Sequence, residues 1–282
     1  MDVQTTILDL IHNKIFHSEP IEYEKLNGGT VSELYLLNWN DKKYVVKLNE
    51  PQVIESEANF LYSYKESNLL PTLLFVEPSH KYLVYSFIEG STHYARENKR
   101  DMLKALVRGL LNHYEPAPGI GWGRVDEPVD SWQGFLMNRL TDAKKMIGSR
   151  LEMDDHHLVL NLCQKVNTDR QPFLLHGDCG VHNFIFREGQ LMGVIDPTPV
   201  VGDPLYDLIY AFCSSPDDLT KETIDSAVSE WMIKAEDHSS FLYEEVIIGL
   251  YMRLGNCMKH HPQDFEEYIK AWRYWKDIVT EK

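Results

Sequence analysis

The 282-residue sequence is poor in cysteine and in basic residues, and it has no long apolar run. Its four cysteines, at positions 163, 179, 213 and 257, show neither paired metal-binding spacing nor the density of a disulfide framework. Lysine and arginine number 28 against 43 acidic residues, so the net charge of −15 argues against nucleic acid or an anionic membrane as a partner. The start has no signal-peptide pattern, and no segment reaches transmembrane length. We therefore expect a globular, cytoplasmic protein.

Polar side chains gather around one short hairpin in the second half of the chain. Residues 184–186 and 191–195 are apolar and predict two strands, joined by a polar turn that contains Gly189. Asn183 precedes the first strand and Asp196 follows the second, so the hairpin brings an amide and a carboxylate to one end. Hard oxygen ligands of this kind suit Mg²⁺, whose coordination is usually completed by water and substrate phosphates. The pattern predicts a magnesium site at Asn183 and Asp196.

Asp178 lies five residues before Asn183 and is expected to face the same space. A carboxylate there can orient a substrate hydroxyl and accept its proton while a bond to phosphorus forms. Taken singly, such an aspartate or asparagine is more often a turn former. The joint spacing of the three residues favours phosphoryl transfer, with Asp178 as the catalytic base.

These motifs resemble those of a known family. The spacing of Asp178, Asn183 and Asp196 is similar to the catalytic loop and metal-binding aspartate of the protein-kinase-like fold. Three runs resemble more specifically the aminoglycoside phosphotransferase and choline kinase branch of that fold. They are His176-Gly177-Asp178, Gly193-Val194-Ile195-Asp196-Pro197 and Gly202-Asp203-Pro204-Leu205-Tyr206-Asp207-Leu208. The resemblance implies an α+β, two-lobed fold with an N-terminal antiparallel sheet and a helix, followed by a larger, mainly helical C-terminal lobe. It divides the chain into a nucleotide lobe at 1–88, a hinge at 89–91 and a catalytic lobe at 92–282.

The expected nucleotide lobe begins with three strands at 21–26, 34–39 and 43–48. The segment between the first two contains adjacent glycines, which let backbone N–H groups approach a phosphate closely. A plain hairpin turn is the alternative, since Asn-Gly is a favoured turn pair. From their place in the chain order, we expect four residues to cover the nucleotide phosphates: Gly28, Gly29, Thr30 and Ser32.

A lysine and a glutamate follow at the positions that the resemblance requires. Lys47 ends an apolar strand and resembles the family's phosphate-binding lysine. Apolar residues at helical spacing predict an amphipathic helix over 53–61. Glu57 adjoins its apolar stripe and is expected to pair with Lys47 on the nucleotide phosphates. Glu55 is the alternative, but the Glu57-Ala58 pair matches the family pattern.

The hinge follows two further predicted strands, at 72–76 and 82–88. In the kinase-like fold the hinge backbone binds the adenine edge, which would involve main-chain atoms of Phe87, Ile88 and Glu89. The glycine-rich run at 116–123 imitates a dinucleotide loop, but no strand precedes it, so we interpret it as an irregular connection near the substrate cleft.

The remaining chain, from 205 onward, is predicted to be helical, with most of its aromatic residues in the core. By resemblance, Asp203 and Asp207 brace the catalytic loop from below, and His176 orients it. No role is predicted for His182. Cys179 has acidic neighbours, which argues against a reactive thiol.

The predicted activity is transfer of the γ-phosphoryl group of ATP, with GTP as the alternative nucleotide, to a hydroxyl of a small molecule in the presence of Mg²⁺. The resemblance favours an aminoglycoside-like or amino-sugar alcohol, and the acidic composition fits a cationic acceptor. Choline, a sugar or an amino-acid alcohol is the alternative acceptor. There are two alternatives to a kinase. One is a catalytically silent protein that binds a nucleotide. The other is a hydrolase that holds its metal with Asp178, Asn183, Asp196 and His176. The sequence leaves the oligomeric state open.

Overall fold

The computed structural model describes residues 3–18, 22–26, 32–166, 170–233 and 241–280. Its first sheet is antiparallel, with strand order β1-β2-β3-β5-β4. The strands are β1 (Glu22–Lys25), β2 (Glu33–Trp39), β3 (Lys42–Leu48), β4 (Leu73–Val76) and β5 (Tyr82–Ser86). A two-residue turn joins β2 to β3, and both its residues, Asn40 and Asp41, have positive φ, at 49° and 58°. This is the turn geometry that matches the twist of a tight hairpin.

Two helices cover the two faces of this sheet. Helix α2 (Pro51–Ser63) packs Ile54 and Leu61 into the main core of the molecule. Helix α1 (Val3–His12) packs Ile7 and Leu10 into a second, smaller core on the other face. The alternation of a strand explains the division, because Val45 belongs to the first core and its neighbour Val46 to the second. Sequence analysis predicted α2 but not α1.

The C-terminal end of α2 is fixed to the helical part of the chain. Tyr64, directly after the helix, donates its hydroxyl to the Leu174 carbonyl at 2.6 Å and accepts from the Glu115 amide at 3.1 Å. One turn earlier, the ring of Phe60 meets the ring of His176 edge-on, with 5.6 Å between the centroids. The helix that carries Glu57 is therefore anchored to the segment that carries Asp178.

The rest of the described chain is mainly helical. Its helices are α3 (Lys99–Gly109), α4 (Trp132–Ile147), α5 (Met153–Cys163), α6 (Leu205–Cys213), α7 (Lys221–Val228), α8 (Leu242–His260) and α9 (Phe265–Thr280). Four short strands form a second sheet in the order β7-β6-β11-β8: β6 (Trp122–Arg124), β7 (Glu127–Val129), β8 (Phe173–Leu175) and β11 (Val200–Gly202). None of the described helices combines the length and apolar character needed to cross a bilayer.

The second sheet corrects the interpretation of residues 116–123. The end of that run is strand β6, which pairs with β11 through Gly123 and Val201. Gly123 has φ of +81°, and a Cβ there would lie 2.8 Å from the Phe135 ring. The glycine therefore belongs to a packed strand. Three-residue strands leave too short a pattern for the sequence to reveal.

The predicted catalytic hairpin is present as β9 (Phe184–Arg187) and β10 (Gln190–Val194). Its two-residue turn, Glu188-Gly189, again has positive φ at both positions. The segment after β5 is tied to it, because Ser91 and Phe186 exchange two backbone hydrogen bonds of 2.9 and 2.7 Å. The α+β, kinase-like fold class is confirmed. The boundaries at 88 and 91 stay predictions.

Candidate active site

The loop that presents Asp178 begins with a glycine that no other residue can replace without displacement of the chain. Gly177 has φ of +80°, and a Cβ on it would lie 2.0 Å from the Thr198 carbonyl oxygen. The two segments are also hydrogen-bonded, since the Thr198 amide donates to the His176 carbonyl at 2.9 Å. This close approach holds the loop against the chain that follows Asp196.

His176 orients the loop through both of its ring nitrogens. Its Nδ1 accepts from the Asp178 amide at 3.3 Å, and its Nε2 donates to the Ile195 carbonyl at 3.1 Å. These contacts require the neutral ring protonated on Nε2. Burial lowers the pKa of His176 to about 4, which keeps that form at neutral pH.

Asp207 braces the same loop from below. Its carboxylate accepts from the Gly177 amide at 3.1 Å and from the Tyr114 hydroxyl at 2.6 Å. The same hydroxyl accepts from the His176 amide at 3.1 Å. Burial raises the pKa of Asp207 to about 6, although these hydrogen bonds oppose the shift. Asp203 is also structural: it accepts from the Leu205 amide at 2.8 Å and pairs with a buried arginine.

Asp178 and Asn183 are in direct contact. The Asn183 side-chain amide donates to the Asp178 carboxylate at 2.9 Å and to its carbonyl at 3.0 Å. The ring of His182 lies 3.3 Å from the same carboxylate. Burial by itself raises the pKa of Asp178, but His182 and Tyr210 outweigh it and lower the pKa to about 2. The group is therefore ionised at neutral pH.

Lys47 joins the sheet, α2 and the catalytic hairpin. Its Nζ lies 2.6 Å from Glu57 Oε2 and is also paired with Asp196. Lys47 and Glu57 are 2% and 1% exposed, whereas Asp196 is 54% exposed. Burial alone lowers the lysine pKa, but the two carboxylates raise it above its usual value. Glu57 is the partner, and Glu55 lies exposed on the other side of the helix.

One cavity of about 310 Å³ brings these groups together. Its lining includes Lys47, Asp178 and Asp196, and also Ser32, whose hydroxyl accepts from Asn49 at 2.7 Å. The other three residues of the expected phosphate loop, Gly28, Gly29 and Thr30, lie outside the described residues.

The expected adenine-binding backbone is only partly available. The Phe87 amide already donates to the Lys43 carbonyl at 3.1 Å. Within the described chain, the main-chain groups of Ile88 and Glu89 have no backbone partner. Ile88 packs against Gly193, where a Cβ would lie 2.5 Å from its side chain. An adenine edge would therefore bind Ile88 and Glu89, with Phe87 contributing at most its carbonyl.

The comparisons with known proteins agree with this arrangement. The family model described as "Phosphotransferase enzyme family" matches residues 22–231. The chain belongs to this family. No curated protein sequence matches it. The family membership of this chain confirms the resemblance that was drawn from the motifs between His176 and Asp196.

Solved structures share the whole fold at low identity. The GDP and kanamycin complex of APH(2")-IIia is 15% identical, covers 98% of this chain and 99% of its own, and gives a TM-score of 0.61. A thermostable mutant of the aminoglycoside phosphotransferase APH(4)-Ia, with AMP-PNP and hygromycin B, is 15% identical over 98% of each chain, with a TM-score of 0.60. A protein assigned as a fructosamine-3-kinase from Thermobifida fusca is 14% identical over 96% of this chain and 100% of its own, with a TM-score of 0.63.

The oxygen atoms of the site fit a magnesium ion that shares its coordination with phosphates. Because its amide nitrogen is directed at Asp178, Asn183 keeps a side-chain oxygen that accepts no hydrogen bond from the described residues. The Asn183 carbonyl accepts from the Ile195 amide at 2.9 Å, which places the asparagine beside Asp196. No cluster of three or more His, Cys, Asp or Glu able to hold a metal occurs in the described ranges. An amide and a carboxylate suit Mg²⁺ completed by substrate.

The same contacts disfavour the hydrolase alternative. It required His176 as a metal ligand, but both nitrogens of His176 are engaged with the backbone.

Cys179 is buried, and burial raises its pKa well above the usual value, so it is not a reactive thiol.

Sequence reasoning missed several residues of the site. Arg124 and Asp126 line the cavity and form a two-point ion pair of 2.9 and 2.6 Å. They lie on the short β6–β7 hairpin, which the sequence did not reveal. His182 also contacts Asp178, and its position four residues after Asp178 is the sequence feature that could have predicted this contact.

Proposed function

We propose that this protein transfers the γ-phosphoryl group of ATP to a hydroxyl group of a small molecule. One observation carries the proposal: Asp178, Asp196 and the Lys47–Glu57 ion pair converge on a single open cavity. A lysine held by a buried glutamate, an acidic metal ligand and a separate carboxylate are the parts that phosphoryl transfer requires. A protein that only bound a nucleotide would need no carboxylate at the position of Asp178.

Each group has a defined task in this proposal. Lys47 binds the nucleotide phosphates and is held in place by Glu57. Asn183 and Asp196 would hold Mg²⁺, which neutralises phosphate charge when bound. Asp178 accepts a hydrogen bond from the acceptor hydroxyl and finally its proton. With a pKa of about 2 it orients strongly but is a weak base, which suits a loose transition state in which proton transfer comes late.

The acceptor class rests on the solved structures that share the fold. They include an aminoglycoside phosphotransferase and a protein assigned as a fructosamine-3-kinase, which supports an amino-sugar alcohol as the acceptor. Choline, sugars and amino-acid alcohols are the alternatives to be tested beside it. The relatives' nucleotides support ATP first, with GTP as the alternative.

The test is an ATP-consumption screen over aminoglycosides, amino sugars, choline, sugars and amino-acid alcohols in the presence of Mg²⁺. Asp178→Asn should lower the turnover of any accepted compound by about 10²–10⁴-fold, the range typical of a lost general base. Its ATP affinity should be retained. Asp142→Asn is the matched control, because Asp142 is an exposed residue of α4 that pairs with Lys145 on the surface. Equal turnover by Asp178→Asn and the wild type would refute the proposal.

A further inference from the structure

A second, smaller pocket lies between α4, α6 and α8. Its volume is about 40 Å³, and aromatic side chains line it at Trp132, Tyr206 and Tyr210. The space is much smaller than the cavity beside Asp178, which measures about 310 Å³, and it suits one functional group of a ligand.

Tyr210 connects this pocket to Asp178. Its side chain lines the pocket, and its hydroxyl is hydrogen-bonded to the Asp178 carboxylate. Its ring also lies 3.3 Å from where a Cβ on Gly180 would stand, in the loop that follows Asp178. The side chain of Tyr210 therefore lies between the pocket and the carboxylate that receives the acceptor hydroxyl.

The charged side chains of the pocket are two arginines and one glutamate. Arg139, on α4, has no ion pair within the described chain. Tyr206 contributes most to the raised pKa of Arg139, and Tyr210 and Asp178 also contribute. The guanidinium group therefore lies within electrostatic reach of Asp178.

The second arginine is only partly engaged. Arg253, on α8, donates its Nε to the Tyr268 hydroxyl at 2.9 Å. Its two terminal nitrogens have no hydrogen-bond partner among the residues that the structure describes. Both arginines thus present unused N–H donors.

The glutamate does not cancel them. Glu245 Oε1 lies 2.5 Å from Arg170, which also pairs with Asp203. Arg170 is therefore shared between two carboxylates, and Glu245 still counts in the charge of the pocket. The charged side chains that line the pocket, two arginines and one glutamate, leave a net positive charge there, although the whole protein has a net charge of −15.

We propose that this pocket binds a carboxylate of the acceptor through Arg139 and Arg253, so that the substrate is a hydroxy acid. The inference rests on the proposed function and narrows its acceptor. Arginine is suited to the task because its planar N–H fork matches the two oxygens of a carboxylate. The inference differs from the cationic acceptor that the sequence favours, because an ammonium group here would face a pocket lining with a net positive charge.

The experiment compares acceptors that differ only in the carboxylate: glycerate with glycerol, serine with serinol, and gluconate with sorbitol. Calorimetry measures the binding of each compound to the protein with AMP-PNP and Mg²⁺, and ATP consumption measures turnover. We expect at least one carboxylate to bind at least about tenfold more tightly than its partner that lacks the carboxylate, the effect of one good charge-assisted contact.

Variants assign the effect to the pocket. Arg139→Gln should weaken carboxylate binding by about tenfold and leave ATP affinity unchanged, and Arg139→Lys should restore part of it because the charge returns without the fork. Arg108→Gln is the control, since Arg108 is an exposed residue that pairs with Glu230 on the surface. Thermal unfolding of each variant separates lost binding from lost folding.

The outcomes distinguish the two proposals. If no carboxylate binds better than its partner that lacks the carboxylate, or if Arg139→Gln weakens both members of a pair equally, the pocket does not bind a carboxylate. Turnover of a cationic acceptor that depends on Asp178 would then leave the kinase proposal standing. If carboxylates bind through Arg139 but ATP is neither bound nor consumed, the pocket assignment holds and the kinase proposal fails.

Discussion

Replacing Lys47 by methionine removes one half of a buried ion pair while keeping the shape of the side chain. Glu57, 1% exposed, would then lose its counter-charge, and it must either stay charged in the core or take up a proton. Breaking a buried pair from one side typically costs about 3–5 kcal/mol, a large part of the 5–15 kcal/mol that stabilises a domain. The contact with Asp196 adds little, because that carboxylate is 54% exposed and already solvated.

Removing both partners should reverse most of this loss. A buried ion pair replaced as a whole by apolar side chains of similar size is often neutral or stabilising. We therefore expect the double variant Lys47→Met/Glu57→Met to lie within about 1 kcal/mol of the wild type, with a coupling energy of about 3 kcal/mol or more. ATP binding should not return with stability, since it needs the lysine itself.

Urea unfolding of the four proteins measures the cycle, and calorimetry measures their ATP affinity. The pH supplies a further check on Lys47→Met. Burial raises the pKa of Glu57 to about 7 in the folded protein, above its unfolded value of 4.5. The folded state therefore loses stability as the pH rises from 4.5 to 7, because the buried carboxyl must give up its proton. The penalty of the single variant should therefore shrink between pH 8 and pH 5. Costs that simply add in the double variant, or ATP binding by it, would refute the reasoning.

Two further predictions concern the loop around Asp178. Gly177→Ala should lower turnover sharply and destabilise the fold, because the new Cβ would lie 2.0 Å from the Thr198 carbonyl oxygen. The loss of stability should exceed the roughly 1–2 kcal/mol that the left-handed conformation alone costs a non-glycine residue. Gly119→Ala is the matched control, with φ of +84° and open space, and equal unfolding energies for the two would contradict the steric argument. His176 has a pKa of about 4 in the fold against 6.5 when unfolded, so the unfolded state binds more protons between these values. Acidification through that window should cost about 3 kcal/mol, and urea unfolding at pH 7 and pH 4 should show a smaller loss for His176→Gln.

The parts of the site that sequence predicted best are those with long or strongly spaced patterns. The hairpin that follows Asn183 and the helix that carries Glu57 both have enough apolar periodicity to fix their type and face. The family resemblance and one apolar helical stripe predict that Lys47 pairs with Glu57, and the two groups lie 2.6 Å apart. The choice of Glu57 over Glu55 rests on the Glu57-Ala58 pair of the family pattern.

The parts that sequence did not predict depend on contacts distant in the chain. Arg124 belongs to a three-residue strand that is held by pairing with β7 on one side and with β11, which is distant in the chain, on the other. The pocket of Arg139 and Arg253 forms where three helices meet, and no local pattern encodes that meeting. Helix α1 has apolar residues at helical spacing, but its function as a cover for the sheet depends on the sheet itself.

The anchoring of α2 has a consequence for control of the protein. In protein kinases, activation acts through the position of the corresponding helix, which makes or breaks the lysine–glutamate pair. Here the helix is held by Tyr64 at two backbone groups and by Phe60 against His176, so a swing of the helix would break all three contacts. We therefore expect the ion pair of Lys47 and Glu57 to stay assembled both with and without a bound nucleotide.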